Sequence, residues 1–265
     1  MAHTSPGLKF IDHRGAERRE RLVPESGVEQ SIVLREYFGR SDEIGPGPQG
    51  FLVEVLPPHS ISPAHFHSTD QFQVFLPSSG AWYQRSRLDH PALHFTDAYS
   101  TYGPFGSEDE AMSFFTLRPT ASAVTGYMPA ARDKLVRRGR RNIYMDLGPY
   151  ISDDQAPGTV VTHELIPPHE DGLAAYMIKA GPSASVSVPE QVADIGEGQY
   201  ICVLHGSVAY NGESYSELSL GWCPPGQTIT DIEDSSNKGF ILLSLHMPIL
   251  TTRDLLIETL ESTSS

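Results

Sequence analysis

An internal repeat limits what this chain can fold into more than any other feature of the sequence. Each copy has a glutamine, then an apolar run, then a turn with a glycine: QFQVFLPSSG at 71–80 and QYICVLHGSV at 199–208. A second match follows, because SFFTLRP at 113–119 resembles LLSLHMP at 242–248, and the prolines are spaced much like the glutamines. The sequence therefore predicts two copies of one structural unit.

Short runs of β-branched and aromatic residues indicate what this unit is made of. Examples are FLVEVL at 51–56, AMSFFTL at 111–117 and FILLSL at 240–245, separated by segments rich in glycine, proline, asparagine and serine. Helical features are confined to a turn or two near 130–136 and to RDLLIETL at 253–260. We therefore predict an all-β fold.

Composition and charge exclude several classes of protein. No apolar run approaches the roughly 18–20 residues of a membrane-spanning helix, and the first residues lack the apolar region of a signal peptide. The formal net charge of −14 opposes nucleic-acid binding, which needs a basic surface. We expect a soluble cytoplasmic protein whose partner is a small-molecule substrate, with no nucleic-acid or membrane partner, and we leave open a homodimer.

The cysteines and one basic run are interpreted as structural. Cys202 and Cys223 are too few for a disulfide scaffold and lack C-x-x-C spacing, so we expect reduced core residues. The basic residues between 132 and 141 are typical of a solvated linker. We predict three regions: an N-terminal lobe at 1–125, a basic linker at 126–145 and a C-terminal lobe at 146–265.

The segment that leads into the first repeated strand carries the residues best suited to chemistry. In an extended chain alternate side chains share a face, so His65, His67, Gln71 and Gln73 would point to one side. Two imidazoles and an amide oxygen then converge, and imidazole suits iron, manganese, nickel, copper and zinc. We predict one divalent transition metal per chain, held by His65, His67 and Gln71.

This pattern, H-x-H-x3-Q before a strand and Gly80, resembles the first signature of the cupin superfamily, G-x5-H-x-H-x3,4-E-x6-G. Gln71 stands where that signature has its acid. The second signature, G-x5-P-x-G-x2-H-x3-N, can be laid over residues 91–106, where its proline, glycine and histidine positions hold Asp97, Tyr99 and Tyr102. The resemblance implies a bicupin, with two tandem double-stranded β-helix (jelly-roll) barrels.

The second copy keeps the strand and the turn but loses the histidines. Q-x6-G is intact from Gln199 to Gly206, whereas Ala193 and Ile195 occupy the two histidine positions. We therefore expect the C-terminal lobe to be metal-free and structural, although such a barrel can still hold an apolar ligand.

The resemblance leaves three functions open. The first is a metal-dependent enzyme acting on a small organic molecule, above all an Fe(II)-type dioxygenase or oxidoreductase, with manganese, nickel or zinc as other metals. In this hypothesis Tyr102 or Gln73 orients the substrate, and His94 replaces Tyr102 at the fourth ligand position if the alignment is out of register. The second is a non-redox isomerase, cyclase or lyase that uses the metal as a Lewis acid. The third is a non-enzymatic cupin that binds a small ligand.

The glutamine in place of the acid has an electrostatic consequence. A neutral Gln71 removes one negative charge from the predicted metal site, so the site keeps more positive charge. We expect weaker retention of a divalent ion and a preference for an anionic ligand, such as a carboxylate or an enolate.

Overall fold

A computed structural model of the protein describes residues 7–23, 30–135, 140–151, 154–191 and 195–249. Nearly all its regular structure is antiparallel β-strand, which confirms the predicted all-β fold. The helical turn expected near 130–136 is a 3-10 turn at Arg132–Lys134, and the helix predicted at 253–260 lies outside the described residues. In the part of the chain that the structure describes, no helix is long and apolar enough to cross a membrane.

The chain divides into two compact units. The N-terminal unit is Glu17–Gly148, and the C-terminal unit is Pro149–Ile249 together with the N-terminal segment up to Ala16. The first strand, β1 (Lys9–Ile11), belongs to the C-terminal unit.

The strands of the N-terminal unit form a large and a small sheet and one separate pair. They are β2 (Glu17–Val23), β3 (Gln30–Phe38), β4 (Gln49–Leu56), β5 (Ile61–Ser62), β6 (His65–His67), β7 (Gln71–Phe75), β8 (Ala81–Tyr83), β9 (Ser86–Arg87), β10 (Ala92–Thr96), β11 (Phe105–Ser107), β12 (Met112–Arg118), β13 (Thr125–Tyr127) and β14 (Asn142–Asp146). The large sheet has the order β14-β10-β7-β12-β4-β3-β2, the small sheet β5-β11-β8-β9, and β6 pairs with β13.

The C-terminal unit has a large and a small sheet of the same kind. A short helix, α1 (Gly148–Ile151), precedes β15 (Val160–Ile166), β16 (Ala174–Ala180), β17 (Ser185–Val188), β18 (Gly198–His205), β19 (Val208–Tyr210), β20 (Glu213–Tyr215), β21 (Leu220–Cys223), β22 (Ile229–Asp234) and β23 (Phe240–Met247). The large sheet has the order β1-β21-β18-β23-β16-β15, and the small sheet has the order β17-β22-β19-β20.

The two units share one topology, as the repeat predicted. Matching β7, which begins at Gln71, with β18, which contains Gln199, aligns β10-β7-β12-β4-β3 with β21-β18-β23-β16-β15. The small sheets then also correspond strand by strand. Each unit buries an apolar core between its large and small sheets, as expected for a double-sheet jelly roll.

The two units also complete their large sheets in the same way, with a strand added beside β10 in one and beside β21 in the other. In the N-terminal unit this strand is β14, which pairs with β10, and in the C-terminal unit it is β1, which pairs with β21. Phe10 of β1 is buried in the C-terminal core and stacks on Tyr215 with ring centroids 4.7 Å apart. Burial of this ring draws the N-terminal segment, which the sequence grouped with the lobe at 1–125, into the C-terminal unit.

Part of the segment predicted as a linker, 126–145, is also structured. It contains most of β13 and β14, which pair with β6 and β10 of the N-terminal unit. Arg141 forms an ion pair with Asp97 at 2.8 Å and lies over the Phe95 ring, so this basic residue contacts the fold rather than solvent alone. Residues 136–139 of the basic run lie outside the described residues.

Both cysteines are buried and neither forms a disulfide, which confirms their prediction as reduced core residues. Burial raises the pKa of both thiols, that of Cys223 to about 11. The thiol form is therefore retained at neutral pH.

Candidate active site

Strand β6 places the two predicted histidines against one cavity of the N-terminal unit. Phe66 between them is fully buried, and His65 and His67 both line the cavity, as alternation in a strand requires. Their ring centroids are 5.2 Å apart, and their planes are nearly perpendicular, at 88°. The structure thus brings the two imidazoles together.

Each imidazole has an oxygen beside its Nδ1 atom. His65 Nδ1 lies 2.6 Å from the Pro63 carbonyl oxygen, and His67 Nδ1 lies 3.1 Å from Thr125 Oγ1. A carbonyl oxygen only accepts hydrogen bonds, so a neutral His65 carries its proton on Nδ1. This arrangement presents Nε2 as the coordinating atom and is common among metal-binding histidines.

Tyrosines flank His65 on both sides. Tyr102 forms a β-bridge with His65, with backbone hydrogen bonds of 3.0 and 2.9 Å, and Tyr127 is the partner of His65 across β13. Residues directly opposite one another in antiparallel pairs share a face. Tyr102, which was predicted to orient the substrate, therefore lies beside both histidines, with ring centroids 4.4 Å from His65 and 6.2 Å from His67.

Gly126 allows β13 to lie close to β6. A Cβ atom on Gly126 would lie only 2.2 Å from the Phe66 ring, so a side chain there would collide with a buried aromatic residue. The close approach holds Thr125 and Tyr127 opposite His67 and His65.

The opposite wall of the cavity includes residues of β4, β12 and β7. The paired residues of these strands and of the neighbouring β10 form rows across the sheet. One row consists of Gln49, Arg118, Gln71 and Thr96, and the next of Phe51, Thr116, Gln73 and His94. Polar residues therefore occupy the interior face of this sheet at the end that approaches the histidines.

Gln71 makes a different contact from the one that the sequence predicts. Its side-chain oxygen accepts a hydrogen bond from Arg118 Nε at 3.0 Å, and Gln71 is not among the residues that line the cavity. The physical reason is that Arg118 lies beside it on β12, and a guanidinium is a strong partner for an amide oxygen. Its predicted role as a metal ligand therefore competes with this hydrogen bond.

Arg118 is a candidate site residue that sequence reasoning missed. It is 6% exposed, lines the cavity, and also donates from Nη1 to Gln49 Oε1 at 2.7 Å. Its signal lay in the apolar strand of the repeat, where Arg118 falls on the same face as Phe114 and Thr116. A charged residue on an inward-facing position marks a site rather than a core.

The cavity has a volume of about 340 Å³, within the range of small-molecule sites. Its polar lining includes His65, His67, Gln73, Tyr102, Thr116, Arg118, Ser122 and Thr125, and its aromatic lining Phe51, Phe105, Phe114 and Tyr127. It therefore combines a largely polar lining with several aromatic rings.

Burial and the positive charge of Arg118 set the protonation of the cavity. Burial, then Arg118, then His65 lower the pKa of His67 well below its usual value. Burial raises the pKa of Tyr102, against smaller opposing effects of Arg118 and the neighbouring Gln71 amide. Near neutral pH the site therefore presents a neutral His67 imidazole and a protonated phenol.

His94, the alternative fourth ligand, is engaged elsewhere. Its Nδ1 lies 3.0 Å from Gln73 Oε1, and its Nε2 lies 3.0 Å from both the Tyr83 hydroxyl and Asn142 Oδ1. Burial lowers its pKa to about 4, and His94 does not line the cavity. It fixes the Gln73 amide, which does line the cavity, instead of facing a ligand.

The turn before Tyr102 contains Tyr99, which was laid over the glycine of the second cupin signature. Tyr99 has a φ of +57°, in the left-handed region that favours glycine, and it occupies the glycine position of that signature in the alignment above. The backbone N–H of Tyr99 donates to the His67 carbonyl oxygen at 2.7 Å. This hydrogen bond ties the turn to β6.

The donors present fit a divalent transition metal in part. Two imidazoles and the Tyr102 phenol surround one end of the cavity, and the Nδ1 contacts hold each imidazole ring in place. Among the described residues, however, no group of three or more histidine, cysteine, aspartate or glutamate side chains could hold a metal ion. The residues that fit are His65 and His67, with the Tyr102 phenol beside them.

The corresponding end of the C-terminal barrel has a different character. Gln199, the counterpart of Gln71, pairs with His246 and Cys223 on the neighbouring strands. Of the two predicted histidine positions, Ile195 is partly exposed and position 193 lies outside the described residues. The expectation of a metal-free second lobe stays a prediction.

Comparison with known proteins finds similar folds among solved structures. No protein-family model and no curated protein matches the sequence. Solved structures do match. A candidate dioxygenase from Nostoc punctiforme superposes with a TM-score of 0.63 at 12% identity, covering 91% of this chain and 83% of that chain.

Two other neighbours are enzymes with named substrates. A variant of Bacillus subtilis oxalate decarboxylase matches with a TM-score of 0.56 at 11% identity, covering 94% of this chain and 78% of that one. Salicylate 1,2-dioxygenase from Pseudoaminobacter salicylatoxidans matches with a TM-score of 0.54 at 14% identity, covering 89% and 75%.

The fold is that of the cupins, and it occurs twice in the chain, as the sequence resemblance implied. At these identities the likeness establishes architecture, while the chemistry must be argued from the cavity.

Proposed function

We propose that this protein is a metal-dependent enzyme that acts on a small organic molecule in the N-terminal cavity, with Fe(II)-dependent oxygenation as its reaction. The observation that carries the proposal is the pair His65 and His67, which lines one cavity with an oxygen at each Nδ1. His65 and His67 would hold the metal through Nε2. When bound, iron would supply the redox chemistry that lets an organic substrate react with dioxygen.

The chain's own residues would bind and orient the substrate. The Tyr102 hydroxyl, protonated at neutral pH, can donate a hydrogen bond to a substrate oxygen beside the histidines. Gln73, whose amide is held by His94, can fix a second polar group of the substrate. The aromatic side chains that line the cavity can pack against the apolar body of the substrate.

Metal analysis tests the proposal directly. Protein purified without an affinity tag and reconstituted anaerobically with Fe(II) should hold about one iron per chain, because the imidazole pair occurs only in the N-terminal unit. Nitric oxide, a probe for vacant coordination positions on ferrous iron, should give the electron paramagnetic resonance signal of a ferrous nitrosyl. The proposal is wrong if the protein holds no divalent metal, or if a variant without both histidines still binds iron as the parent does.

One observation favours a second candidate, a non-enzymatic cupin that binds a small ligand. The Gln71 oxygen accepts a hydrogen bond from Arg118, so the predicted third ligand is already engaged by a buried cation. In that case the protein would bind a small molecule with the same affinity before and after treatment with a chelator, and would consume no oxygen.

A further inference from the structure

The wall of the cavity opposite the histidines carries a buried positive charge. The Arg118 guanidinium donates to Gln49 Oε1 at 2.7 Å and to Gln71 Oε1 at 3.0 Å, and it lies 5.8 Å from the centroid of the Phe51 ring. Gln49 is itself anchored, because its Nε2 donates to the Arg40 carbonyl oxygen at 2.7 Å. Two buried amides therefore orient the guanidinium without adding a negative charge.

The acidic residues that line the cavity are engaged in ion pairs. Asp42 pairs with Arg19 at 2.9 Å, and Glu43 pairs with Arg40 at 3.4 Å. Both carboxylates belong to the loop that follows β3 rather than to the strands that carry the rows of polar residues. The part of the cavity that is lined by the imidazoles and Arg118 therefore carries the positive charge of Arg118.

The rest of the lining favours a flat apolar body. Phe51, Phe105 and Phe114 form the walls, and the cavity of about 340 Å³ can contain a single ring with its substituents. A guanidinium at the end of such a pocket matches a carboxylate, since both groups are planar and can form paired hydrogen bonds.

We propose that the ligand of this cavity is a small organic carboxylate, held at its charged end by Arg118 and along its apolar body by Phe51, Phe105 and Phe114. This inference deepens the proposed function, because it names the substrate class of the same cavity. Gln49 and Gln71 are then positioning residues, which act by orienting Arg118.

A matched set of probes tests the charge requirement. Benzoate, benzamide and benzylamine share one ring and differ at the head group, and their binding can be measured by calorimetry on the full-length protein in the presence of a chelator. We expect benzoate to bind at least about tenfold more tightly than benzamide, as a charged hydrogen bond should give, and benzylamine to bind least. Equal binding of benzoate and benzamide would overturn the inference.

Two variants locate the effect. Arg118→Gln should reduce benzoate affinity to that of benzamide and leave benzamide little changed, whereas Arg87→Gln, at an exposed arginine that does not line the cavity, should change both by less than about twofold. Because Arg118→Gln removes a buried hydrogen-bonding group, Gln71→Glu is the second variant. It is isosteric and neutralises Arg118 in place, so benzoate binding should again fall. If both variants fold and both bind benzoate as tightly as the parent, the inference is wrong. If Arg118→Gln does not fold, parent-like benzoate binding by Gln71→Glu alone contradicts the inference.

The outcome separates this inference from the proposed function. Protein that holds no metal but selects benzoate through Arg118 would overturn the proposed function and support the carboxylate site. Protein that loads iron at His65 and His67 but does not distinguish benzoate from benzamide would do the reverse.

Discussion

Arg118 Nε donates a hydrogen bond to the Gln71 side-chain oxygen at 3.0 Å, across the neighbouring strands β12 and β7. The cupin signature that this sequence resembles has an acid at the position of Gln71, and here that position binds a cation instead. The wall that includes β12 therefore carries the positive charge of Arg118, whereas the signature would place a negative charge there. His65 and His67 line the same cavity.

The first prediction separates two roles of Gln71. If Gln71 positions Arg118, Gln71→Ala should leave iron affinity little changed while it weakens benzoate binding, because the guanidinium loses one of its two amide partners. Gln71→Glu should keep or raise iron affinity, since it adds a negative charge near the imidazoles. Iron affinities from competition with a chelator decide the matter. A large loss of iron affinity in Gln71→Ala would restore Gln71 as a ligand.

The second prediction concerns the histidines. His65→Ala combined with His67→Ala should abolish iron binding and leave the thermal unfolding midpoint of the metal-free protein close to that of the parent, because a metal in a preformed barrel contributes little to folding. His90→Ala is the matched control, since the His90 side chain is half exposed and lies away from the cavity. Iron bound at parent levels by the double variant would show that the site lies elsewhere.

The repeat, the all-β fold and the histidine pair could be predicted because each depends on the order of residues within a short segment. Alternation places His65 and His67 on one face of β6, and the spacing of Gln71 and Gln199 marks two copies of one unit. Such patterns depend on neighbours in the chain and are visible without any knowledge of strand pairing.

The remaining features depend on pairing between distant segments. Arg118 contacts Gln71 because β12 pairs with β7. Similarly, β1 belongs to the C-terminal unit, where Phe10 stacks on Tyr215. The register of such non-local pairs is fixed by packing and is not encoded in either segment alone. The same limit hid the contact between Gln73 and His94.

The third prediction tests the close approach of β13 to β6. Gly126→Ala should destabilise the N-terminal unit by about 1–3 kcal/mol, because the new methyl group would overlap the buried Phe66 ring. It should also weaken iron binding, since β13 carries Thr125, the partner of the His67 ring. Gly45→Ala is the control, as nothing lies within 4 Å of a Cβ atom there. Parent stability in Gly126→Ala, measured by urea unfolding, would refute this account of the glycine.

The fourth prediction concerns Asp12, which follows β1 and anchors the N-terminal segment to the C-terminal unit. Burial raises its pKa, but hydrogen bonds from Arg14 and Ser216 outweigh burial and hold the pKa well below the ordinary value. Ser216 donates from its backbone N–H and its hydroxyl, at 2.8 and 2.9 Å. Asp12→Asn should cost about 1–3 kcal/mol at neutral pH, the range for hydrogen bonds to a charged group.

The pH dependence follows from the sign of that shift. A depressed carboxyl pKa contributes stability that is present above the unfolded value near 3.8 and is lost as the pH falls towards the lower folded value. Asp12→Asn should therefore flatten the acid limb of the unfolding profile below about pH 4. An acid limb identical to that of the parent would contradict this role.

The last prediction concerns His246, a buried histidine of the C-terminal unit. His246 is 4% exposed, its Nε2 lies 3.2 Å from Ser244 Oγ, and burial lowers its pKa to about 4. In the unfolded chain this histidine has an ordinary pKa near 6.5, so between pH 6.5 and 4 it is protonated there but stays neutral in the folded protein. Stability of this unit should therefore fall by about 3 kcal/mol as the pH drops through that window.

His246→Gln should remove this loss, because glutamine stays neutral throughout, and His205→Gln should not, because the His205 side chain is 71% exposed. Trp82→Phe as the background leaves Trp222, whose ring lies 4.7 Å from that of Tyr200, as a fluorescent reporter of the C-terminal unit. Urea unfolding of the three proteins between pH 7 and 4 then isolates the effect. If the His246→Gln profile keeps the slope of the parent, the proton is taken up by another group and the buried neutral imidazole is not the cause.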